Sequence, residues 1–230
     1  MESPVSNRFV FIVPVFNARA TIQQMLFSVL AQSYGNWKIV IRDDMSTDGT
    51  PELIRNFVST LGLQDRVHLT VNTEKMWEVR NIVEALKECK EDDIVCRLDG
   101  DDWLADLDAL AIINHRYETL PIDVLWTAHR WSFSNQNISG PLPADADPYR
   151  HPWVSSHLKT FRKSLASGIP DANFRNQDGD YFKRIGDQAL YLPVLHQSSG
   201  WHFEPIVAYH YTIDVKPSTF QSADAKFQQA

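Results

Sequence analysis

The chain has 230 residues, of which 43% are hydrophobic and 22% are charged, a composition typical of a globular protein with a sizeable core. The formal net charge is −7, and no stretch is rich in Lys and Arg, so the chain is a poor candidate for binding nucleic acid through its phosphates. Two cysteines without a Cys-x-x-Cys spacing, and no apolar run of the roughly 18 residues that indicate a membrane span, predict a soluble, cytoplasmic protein without a disulfide framework or a zinc site.

The first half of the sequence alternates predicted strands and helices that are joined by short links. Residues 9–15 form a continuous apolar, β-branched run, typical of a strand buried on both faces of a parallel sheet. Pro14 cannot donate to a neighbouring strand, so this strand is predicted to end near it. The further strands are predicted at 37–41, 67–71 and 94–98, and the helices at 21–31, 50–60 and 77–89. This order predicts a doubly wound, mostly parallel α/β sheet that binds its ligand at the carboxyl ends of the strands.

The second half of the sequence is less regular. A predicted helix at 107–118 and a predicted strand at 124–128 are followed by a loop-like stretch, 132–152, that is rich in proline. Residues 154–186 are predicted to cover one face of the sheet rather than to form a second compact domain. The last predicted elements are helices at 156–165 and 187–195, a strand at 203–213 and a frayed end at 222–230.

Three carboxylates follow directly after the fourth predicted strand, on Asp99, Asp101 and Asp102. Side chains alternate along a strand, so Asp99 and Asp101 point the same way if the strand continues, and Gly100 lets the backbone turn or approach a ligand. Two hard oxygen donors with no Lys beside them favour a divalent cation. The alternative is an exposed acidic turn that caps the next helix.

The turn after the first strand, residues 16–20, contains no glycine. A dinucleotide-binding fold needs a Gly-x-Gly-x-x-Gly turn at this place, and the chain also lacks the Gly-x-x-x-x-Gly-Lys-Ser/Thr loop that cradles phosphates. A metal at Asp99 and Asp101 is the remaining way for so acidic a chain to hold a diphosphate.

Four blocks of the sequence, in this order and spacing, resemble family-2 glycosyltransferases of the GT-A fold. The resemblance is strong over residues 9 to about 104 and looser in the second half, at 157–163 and 186–195. It implies a single GT-A domain over residues 1–230, with a nucleotide-sugar-binding half at 9–104 and an irregular acceptor-binding half at 105–220. The four blocks are residues 11–17, 39–50, 80–81 and 98–102.

The resemblance implies a pocket for the nucleotide base at the ends of the first two strands. Asp43 or Asp44 would accept a hydrogen bond from the ring N3–H, because a carboxylate is only an acceptor and uracil offers a donor there. The alternative for both is helix capping, for which Asp48 is the better candidate. The residues that would flank the base are Pro14, Phe16 and Asn17.

For the phosphates, the resemblance implies that Asp99 lies near the ribose and the metal, that Asp101 binds Mn²⁺ or Mg²⁺, and that Gly100 allows close approach. Asp102 is either a neighbour of the metal site or a helix cap. Arg80 would approach the base or the phosphates, and the alternative is a solvated arginine on a helix face.

Two further roles concern the second half of the chain. A late histidine completes the metal site in several GT-A enzymes, and the candidates are His210, on the last predicted strand, and His157. The default for a single histidine is a hydrogen-bonded structural role. Trp153 and Trp201 could stack on a sugar ring of the acceptor.

Asp187 resembles the general base of these enzymes, which takes the proton of the acceptor hydroxyl. The family commonly has Glu-Asp at this place, whereas this chain has Gly186 before Asp187. The alternative role is an N-cap of the following helix. Asp178 and Asp180 are rival carboxylates in a turn-like segment.

The activity that the resemblance implies is inverting, metal-dependent transfer of a sugar from a UDP-sugar to a hydroxyl of a saccharide or glycolipid. A membrane-associated lipid acceptor stays open. One alternative is a non-catalytic module of the same fold that binds sugar nucleotides or glycans. The other is a sugar-nucleotidyltransferase, which would need a Gly-rich loop with Lys or Arg after the first strand.

Overall fold

The computed structural model describes residues 7–132 and 134–212, and within them eight strands form one sheet. The predicted strand end at 213 and the predicted frayed end at 222–230 lie outside the described residues. The strands are β1 (Phe9–Val15), β2 (Trp37–Asp43), β3 (Val67–Val71), β4 (Ile94–Arg97), β5 (Trp103–Leu104), β6 (Val124–Trp131), β7 (Lys159–Arg162) and β8 (Trp201–Tyr211).

Helices cover both faces of this sheet. The α-helices are α1 (Ile22–Leu30), α2 (Thr50–Thr60), α3 (Trp77–Leu86), α4 (Ala109–Thr119), α5 (Lys163–Ser167) and α6 (Leu192–Gln197). A short 3₁₀ turn occupies Asp171–Phe174, and a single π-helical turn, Asp187–Tyr191, leads directly into α6. Within the described ranges, no helix is both long and apolar enough to cross a bilayer.

β1 lies inside the sheet because its side chains can be buried on both faces. It pairs in parallel with β2 on one side and with β4 on the other, and β3 extends the sheet beyond β2. Phe11 and Val13 pack into a core with α1 and α2, whereas Val10 and Ile12 pack with α3 and the late helices. The side chains of this continuous apolar run are thus buried on both faces of the sheet, as the sequence predicts.

The second half of the chain completes the same sheet in the order β3-β2-β1-β4-β7-β6-β8-β5. β7 is antiparallel to both β4 and β6, β8 is parallel to β6, and β5 is antiparallel to β8. The predicted fold class, a single, mostly parallel α/β sheet flanked by helices, is confirmed. The carboxyl ends of β1, β2, β4, β6 and β8 therefore lie at one edge, together with the amino end of β7.

The predicted helix at 156–165 is wrong, because Lys159–Arg162 forms β7 and only the following residues are helical. The short run of alternating residues fits between β4 and β6, where Thr160 Oγ1 donates to Leu125 O at 2.9 Å and Phe161 is fully buried. In so short a segment the apolar residues fit the period of a helix as well as that of a strand, so pairing with neighbouring strands decides its secondary structure. The other predicted elements are present, with ends shifted by a few residues.

Candidate active site

The turns that follow the parallel strands meet at the carboxyl edge of the sheet. Asn17, after β1, is tied to the turn after β2: its N–H donates to Ser46 Oγ at 2.8 Å, and its Oδ1 accepts from Thr47 N at 2.9 Å. Asp44 N donates to Val15 O at 2.8 Å. The two segments that are predicted to form the base pocket therefore belong to one surface. Pro14, the second-last residue of β1, lies beside them.

Several residues at this edge have a backbone conformation that costs energy. A non-glycine residue in the left-handed region is disfavoured by roughly 1–2 kcal/mol, and such strain concentrates at functional sites. Four such residues lie in the turns after β1, β2 and β3 or just before Asp187: Asn17 (φ 51°), Met45 (φ 66°), Trp77 (φ 60°) and Ile185 (φ 68°).

The carboxylate oxygens of Asp44 accept hydrogen bonds from the start of α3. Its carboxylate accepts from Met76 N at 2.7 Å and from Trp77 N at 3.0 Å, and it pairs with Lys75 at 3.2 Å. Burial disfavours the charged form, but these hydrogen bonds, led by that from Met76, outweigh it and hold the pKa of Asp44 below its ordinary value. The capping role that was an alternative for this residue is the one the contacts describe.

Asp43 has a free acceptor. It is fully buried, and its Oδ1 accepts from Ser46 N at 2.9 Å. Its Oδ2 is buried without a hydrogen-bond partner in the described part of the chain. An unsatisfied buried acceptor costs about 1–3 kcal/mol, so this oxygen is suited to a donor from a ligand. The geometry thus separates two neighbours that the sequence leaves equivalent.

An exposed aromatic ring and a cation lie beside these acids. Phe16 is 52% exposed, and Lys75 Nζ lies 3.0 Å from the centroid of its ring. Sequence reasoning does not identify Lys75, because a lysine in a polar link carries no distinguishing signal. Arg80 forms an ion pair with Glu74 at 2.8 Å on the surface of α3, as its alternative role expects, and its contact with a nucleotide stays a prediction.

The acidic stretch divides into a buried and an accessible part. Asp102 is buried, and its carboxylate accepts from Tyr209 Oη and from Thr212 N, both at 2.7 Å. Burial, together with the charges of Asp101 and Asp99, raises the pKa of Asp102 well above its ordinary value. Asp102 therefore anchors the end of β8, whereas Asp101 is exposed and the side chain of Asp99 is 30% exposed.

His210 does not join these acids in a preformed cluster. It stands opposite Trp103 in the sheet and stacks on its indole, with ring centroids 3.9 Å apart, and Arg130 Nε donates to its Nδ1 at 3.4 Å. Burial and the charge of Arg130 lower its pKa. In residues 7–132 and 134–212, no three His, Cys, Asp or Glu side chains are grouped as a metal site.

The accessible carboxylates nevertheless fit a hard divalent cation. Mg²⁺ is usually bound by one or two carboxylates together with substrate phosphates and water, so Asp99 and Asp101 suffice when a diphosphate supplies the other oxygens. His210 as a metal ligand stays a prediction.

Gly100 makes its close approach to β1 rather than to open space. A Cβ at this position would lie 2.8 Å from Val15 Cγ2, and Gly100 O accepts from Thr21 Oγ1 at 3.1 Å. The small residue thus lets the acidic stretch pack on β1 and α1. A contact of Gly100 with a nucleotide stays a prediction.

Gly100→Ala is expected to destabilise the protein by about 1–3 kcal/mol, since the added methyl group overpacks a buried contact with Val15. Urea unfolding followed by circular dichroism measures the loss. The matched control is Gly35→Ala, because nothing lies within 4 Å of a Cβ at that position. Equal stability of the two variants would contradict the packing role.

Asp187 is held by a buried lysine. Lys159 Nζ lies 2.8 Å from Asp187 Oδ2, and the side chain of Lys159 is 0% exposed. Burial disfavours the charged form, but the positive charges of Lys159 and Arg97 outweigh it, and the pKa of Asp187 lies below its ordinary value. Asp187 Oδ1 is buried and has no partner among the described residues. The carboxylate is ionised at neutral pH and keeps one oxygen unpaired, and a general base needs such an oxygen to take a proton.

The rival carboxylates lack this environment. Asp178 and Asp180 are exposed, and their backbone N–H groups both donate to Asn176 Oδ1 at 3.0 Å. This arrangement is a surface turn, as their position in the sequence indicates.

A set of buried rings connects Asp187 with the acidic stretch. His157 lies 3.4 Å from Lys159 through its Nδ1 and stacks on Tyr209, with ring centroids 4.6 Å apart. Burial and the charge of Lys159 hold the pKa of His157 well below its ordinary value. Tyr209 Oη also accepts from Asp99 N at 3.3 Å. His157 therefore supports Lys159 as a neutral ring, and sequence reasoning missed both Lys159 and Tyr209.

The two candidate tryptophans lie at opposite edges of the sheet. Trp153 lies on the side of Asp187, because Lys159 Nζ, which pairs with Asp187, is 5.7 Å from the centroid of the Trp153 ring. Trp201 begins β8, at the amino edge, and its Nε1 donates to Leu142 O at 3.1 Å. Stacking of Trp201 on an acceptor at Asp187 is therefore excluded by the direction of β8.

Lys159→Met is expected to move the acid limb of any Asp187-dependent turnover to higher pH. In the wild type, Lys159 opposes the effect of burial, so its loss lets burial raise the pKa of Asp187. Because the ionised carboxylate is the active form, turnover then falls off at a higher pH than in the wild type. A pH profile measured from pH 4 to 9 tests this shift, with Lys163→Met, which alters the ion pair with Glu91, as the control that should leave the profile unchanged.

The topology and the carboxylate-lined edge together define a glycosyltransferase of the GT-A fold. The family model for glycosyl transferase family 2 matches residues 10–169. The chain therefore belongs to glycosyltransferase family 2, as the four sequence blocks predict.

Two curated relatives match the first half of the chain. EpsE of Bacillus subtilis, a glycosyltransferase by name, is 31% identical over 94 residues, which are 40% of this chain and 32% of EpsE. TuaG of Bacillus subtilis, named for teichuronic acid biosynthesis, is 33% identical over 96 residues, which are 41% of this chain and 36% of TuaG. The chain thus matches well under half of the length of these relatives.

Solved structures share the fold over most of the chain. S. aureus TarS in complex with UDP superposes with a TM-score of 0.70 at 19% identity, covering 93% of this chain and 62% of that chain. The mannosyltransferase PcManGT of Pyrobaculum calidifontis, in complex with GDP-Man and Mn²⁺, gives a TM-score of 0.64 at 20% identity, covering 91% and 58%. At such identities the likeness concerns the fold alone.

Proposed function

We propose that this chain is an inverting, metal-dependent glycosyltransferase that moves a sugar from a UDP-sugar to a hydroxyl of a saccharide or glycolipid. The observation that carries the proposal is the carboxylate of Asp187. It is charged, its Oδ1 has no hydrogen-bond partner among the described residues, and it lies at the same edge of the sheet as the unpaired Oδ2 of Asp43 and the acidic stretch. A UDP donor is supported by the likeness to TarS structures that hold UDP and UDP-GlcNAc.

Each residue then has one task in a single displacement. Asp187 accepts the proton of the acceptor hydroxyl while that oxygen attacks the anomeric carbon from the face opposite the diphosphate. One C–O bond forms as the bond to the diphosphate breaks, so the configuration inverts. Asp43 accepts from the uracil N3–H, and Phe16 and Asn17 flank the base. Mn²⁺ or Mg²⁺ at Asp101 and Asp99 would neutralise charge on the departing diphosphate.

The direct test is release of the nucleotide from a donor. The chain is incubated with MnCl₂ and, in separate arms, UDP-glucose, UDP-galactose, UDP-GlcNAc and GDP-mannose, and the free nucleoside diphosphate is measured. We expect release from a UDP-sugar. Release only from GDP-mannose would overturn the UDP assignment. Metal-dependent binding of UDP without release from any donor would instead indicate a non-catalytic module.

Asp43→Asn is expected to weaken binding of UDP by roughly 10–100-fold, the value of one hydrogen bond to a charged group. The amide oxygen of asparagine can keep the bond from Ser46 N, but its NH₂ group then faces the donor of the base. Titration calorimetry with UDP and MnCl₂ measures the change. Asp44→Asn is the comparison: it is expected to lower the melting temperature through the cap of α3. A larger loss of UDP affinity in Asp44→Asn would reverse the assignment.

A further inference from the structure

A second carboxylate, that of Glu78 on α3, lies near the loop that leads to Asp187. Glu78 N donates to Lys183 O at 3.1 Å, which fastens the loop before Asp187 to the first turn of that helix. A Cβ on Gly186 would lie 2.5 Å from Glu78 Oε1 and 2.4 Å from Ile82 Cδ1. Gly186 has an ordinary helical φ of −51°, so glycine is needed there for space and not for conformation. The carboxyl group of Glu78 fills the volume that a side chain at 186 would enter.

The partner of Glu78 is a buried arginine. Arg97, whose side chain is 3% exposed, has its Nη2 3.0 Å from Asp99 Oδ1 and 3.5 Å from Glu78 Oε1. The charge of Asp187 also acts on Arg97. The charges of Asp99, Asp187 and Glu78 all act on this guanidinium, and the two carboxylates that form ion pairs with it are Asp99 and Glu78. Asp187 Oδ1 is left without a partner in the described part of the chain.

We propose that Glu78 is a positioning residue for Asp187, which keeps Arg97 from pairing with Asp187 and so leaves Asp187 Oδ1 unpaired and able to accept the proton of the acceptor hydroxyl. The inference rests on the proposed function. When Glu78 cannot accept from Arg97, the guanidinium turns to Asp187 and occupies the oxygen that would take the proton.

What matters at position 78 is an acceptor oxygen rather than a full charge. Burial raises the pKa of Glu78 to about 7, against the opposing effect of Arg97, so both its charged and its neutral form are present near neutral pH. Either form offers an oxygen to Arg97. Glu78→Gln keeps that oxygen and the volume, whereas Glu78→Met keeps only the volume.

The test measures kcat and donor KM with whichever of the four donors the wild type turns over. We expect Glu78→Met to lower kcat at least about tenfold with donor KM within about twofold, as a misplaced catalytic group does. Glu78→Gln should stay within about threefold of the wild type. Equal losses in the two variants, or a Glu78→Met enzyme with unchanged kcat, would overturn the proposal.

A cycle with Gly186 tests the contact itself. Gly186→Ala pushes its methyl group into Glu78 Oε1 and should lower kcat, and Ile82→Val as a common background removes the other clash, with Ile82 Cδ1. In that background, adding Gly186→Ala to Glu78→Ala should cost less than about twofold further, because the group it displaces is already gone. If the kcat losses of Gly186→Ala and Glu78→Ala instead multiplied in the double variant, the two residues would act independently and the proposed contact between them would be contradicted. A wild type that releases no nucleotide would overturn the proposed function together with this inference, whereas a Glu78→Met enzyme with the kcat of an active wild type would overturn the inference alone.

Discussion

Asp187→Asn is expected to lower turnover of the donor by roughly 10²–10⁴-fold, the usual contribution of a general base. The amide keeps the shape of the side chain but has no lone pair basic enough to take the acceptor proton. Binding of UDP should remain within about threefold of the wild type, since the proposed nucleotide contacts are at the ends of β1 and β2. Steady-state release of UDP and calorimetric titration with UDP measure the two effects separately.

The control for this variant is Asp178→Asn, which changes an exposed carboxylate of the neighbouring surface turn. It should leave both turnover and UDP binding unaltered. Turnover within about threefold of the wild type in Asp187→Asn would remove this residue from the proposed chemistry. The base would then have to be sought elsewhere at the same edge.

Asp101→Asn is expected to abolish most of the Mn²⁺-dependent gain in affinity for UDP. Loss of groups that merely orient metal ligands costs 10–100-fold in metal affinity or activity, so loss of a ligand should cost at least about that much. The carboxylate of Asp101 is exposed, so it is accessible to a cation that also binds phosphates. Titration of UDP with and without MnCl₂ gives the difference directly.

Asp102→Asn provides the matched comparison, one residue further along the chain. Its carboxylate holds Tyr209 and the backbone of Thr212, so its loss should lower the melting temperature and leave the effect of Mn²⁺ in place. If Asp102→Asn removed the Mn²⁺ effect and Asp101→Asn kept it, the two roles would have to be exchanged.

The parallel half of the fold could be predicted because its signal is local. The apolar run of β1 and the short links to its neighbours are properties of the chain itself. The same holds for the acidic stretch, whose place after a buried strand puts it at the carboxyl edge. The family was indicated by the resemblance of four sequence blocks to family-2 glycosyltransferases, and the family model over residues 10–169 confirms it.

The choice between neighbouring acids could not be predicted, because each is decided by a partner far along the chain. Asp44 accepts from the backbone N–H of Met76, whereas Asp43 Oδ2 is buried without a hydrogen-bond partner in the described part of the chain. Asp102 is set apart from Asp101 by Tyr209 on β8. In each pair the two residues have the same local pattern, and only the packing of distant segments makes them different.

For the surroundings of Asp187, too, some features could be predicted from the sequence and others could not. Residue type and local period in the sequence by itself determined the strands of the first half and the acidic stretch, and the resemblance to the family made Asp187 a candidate. Only the tertiary structure decided that Lys159–Arg162 is a strand, that its buried lysine holds Asp187, and that Glu78 fills the space beside Gly186. Hydrogen bonding, burial and charge act between groups that are close in space, and here the groups come from β4, α3, β7 and the loop before α6.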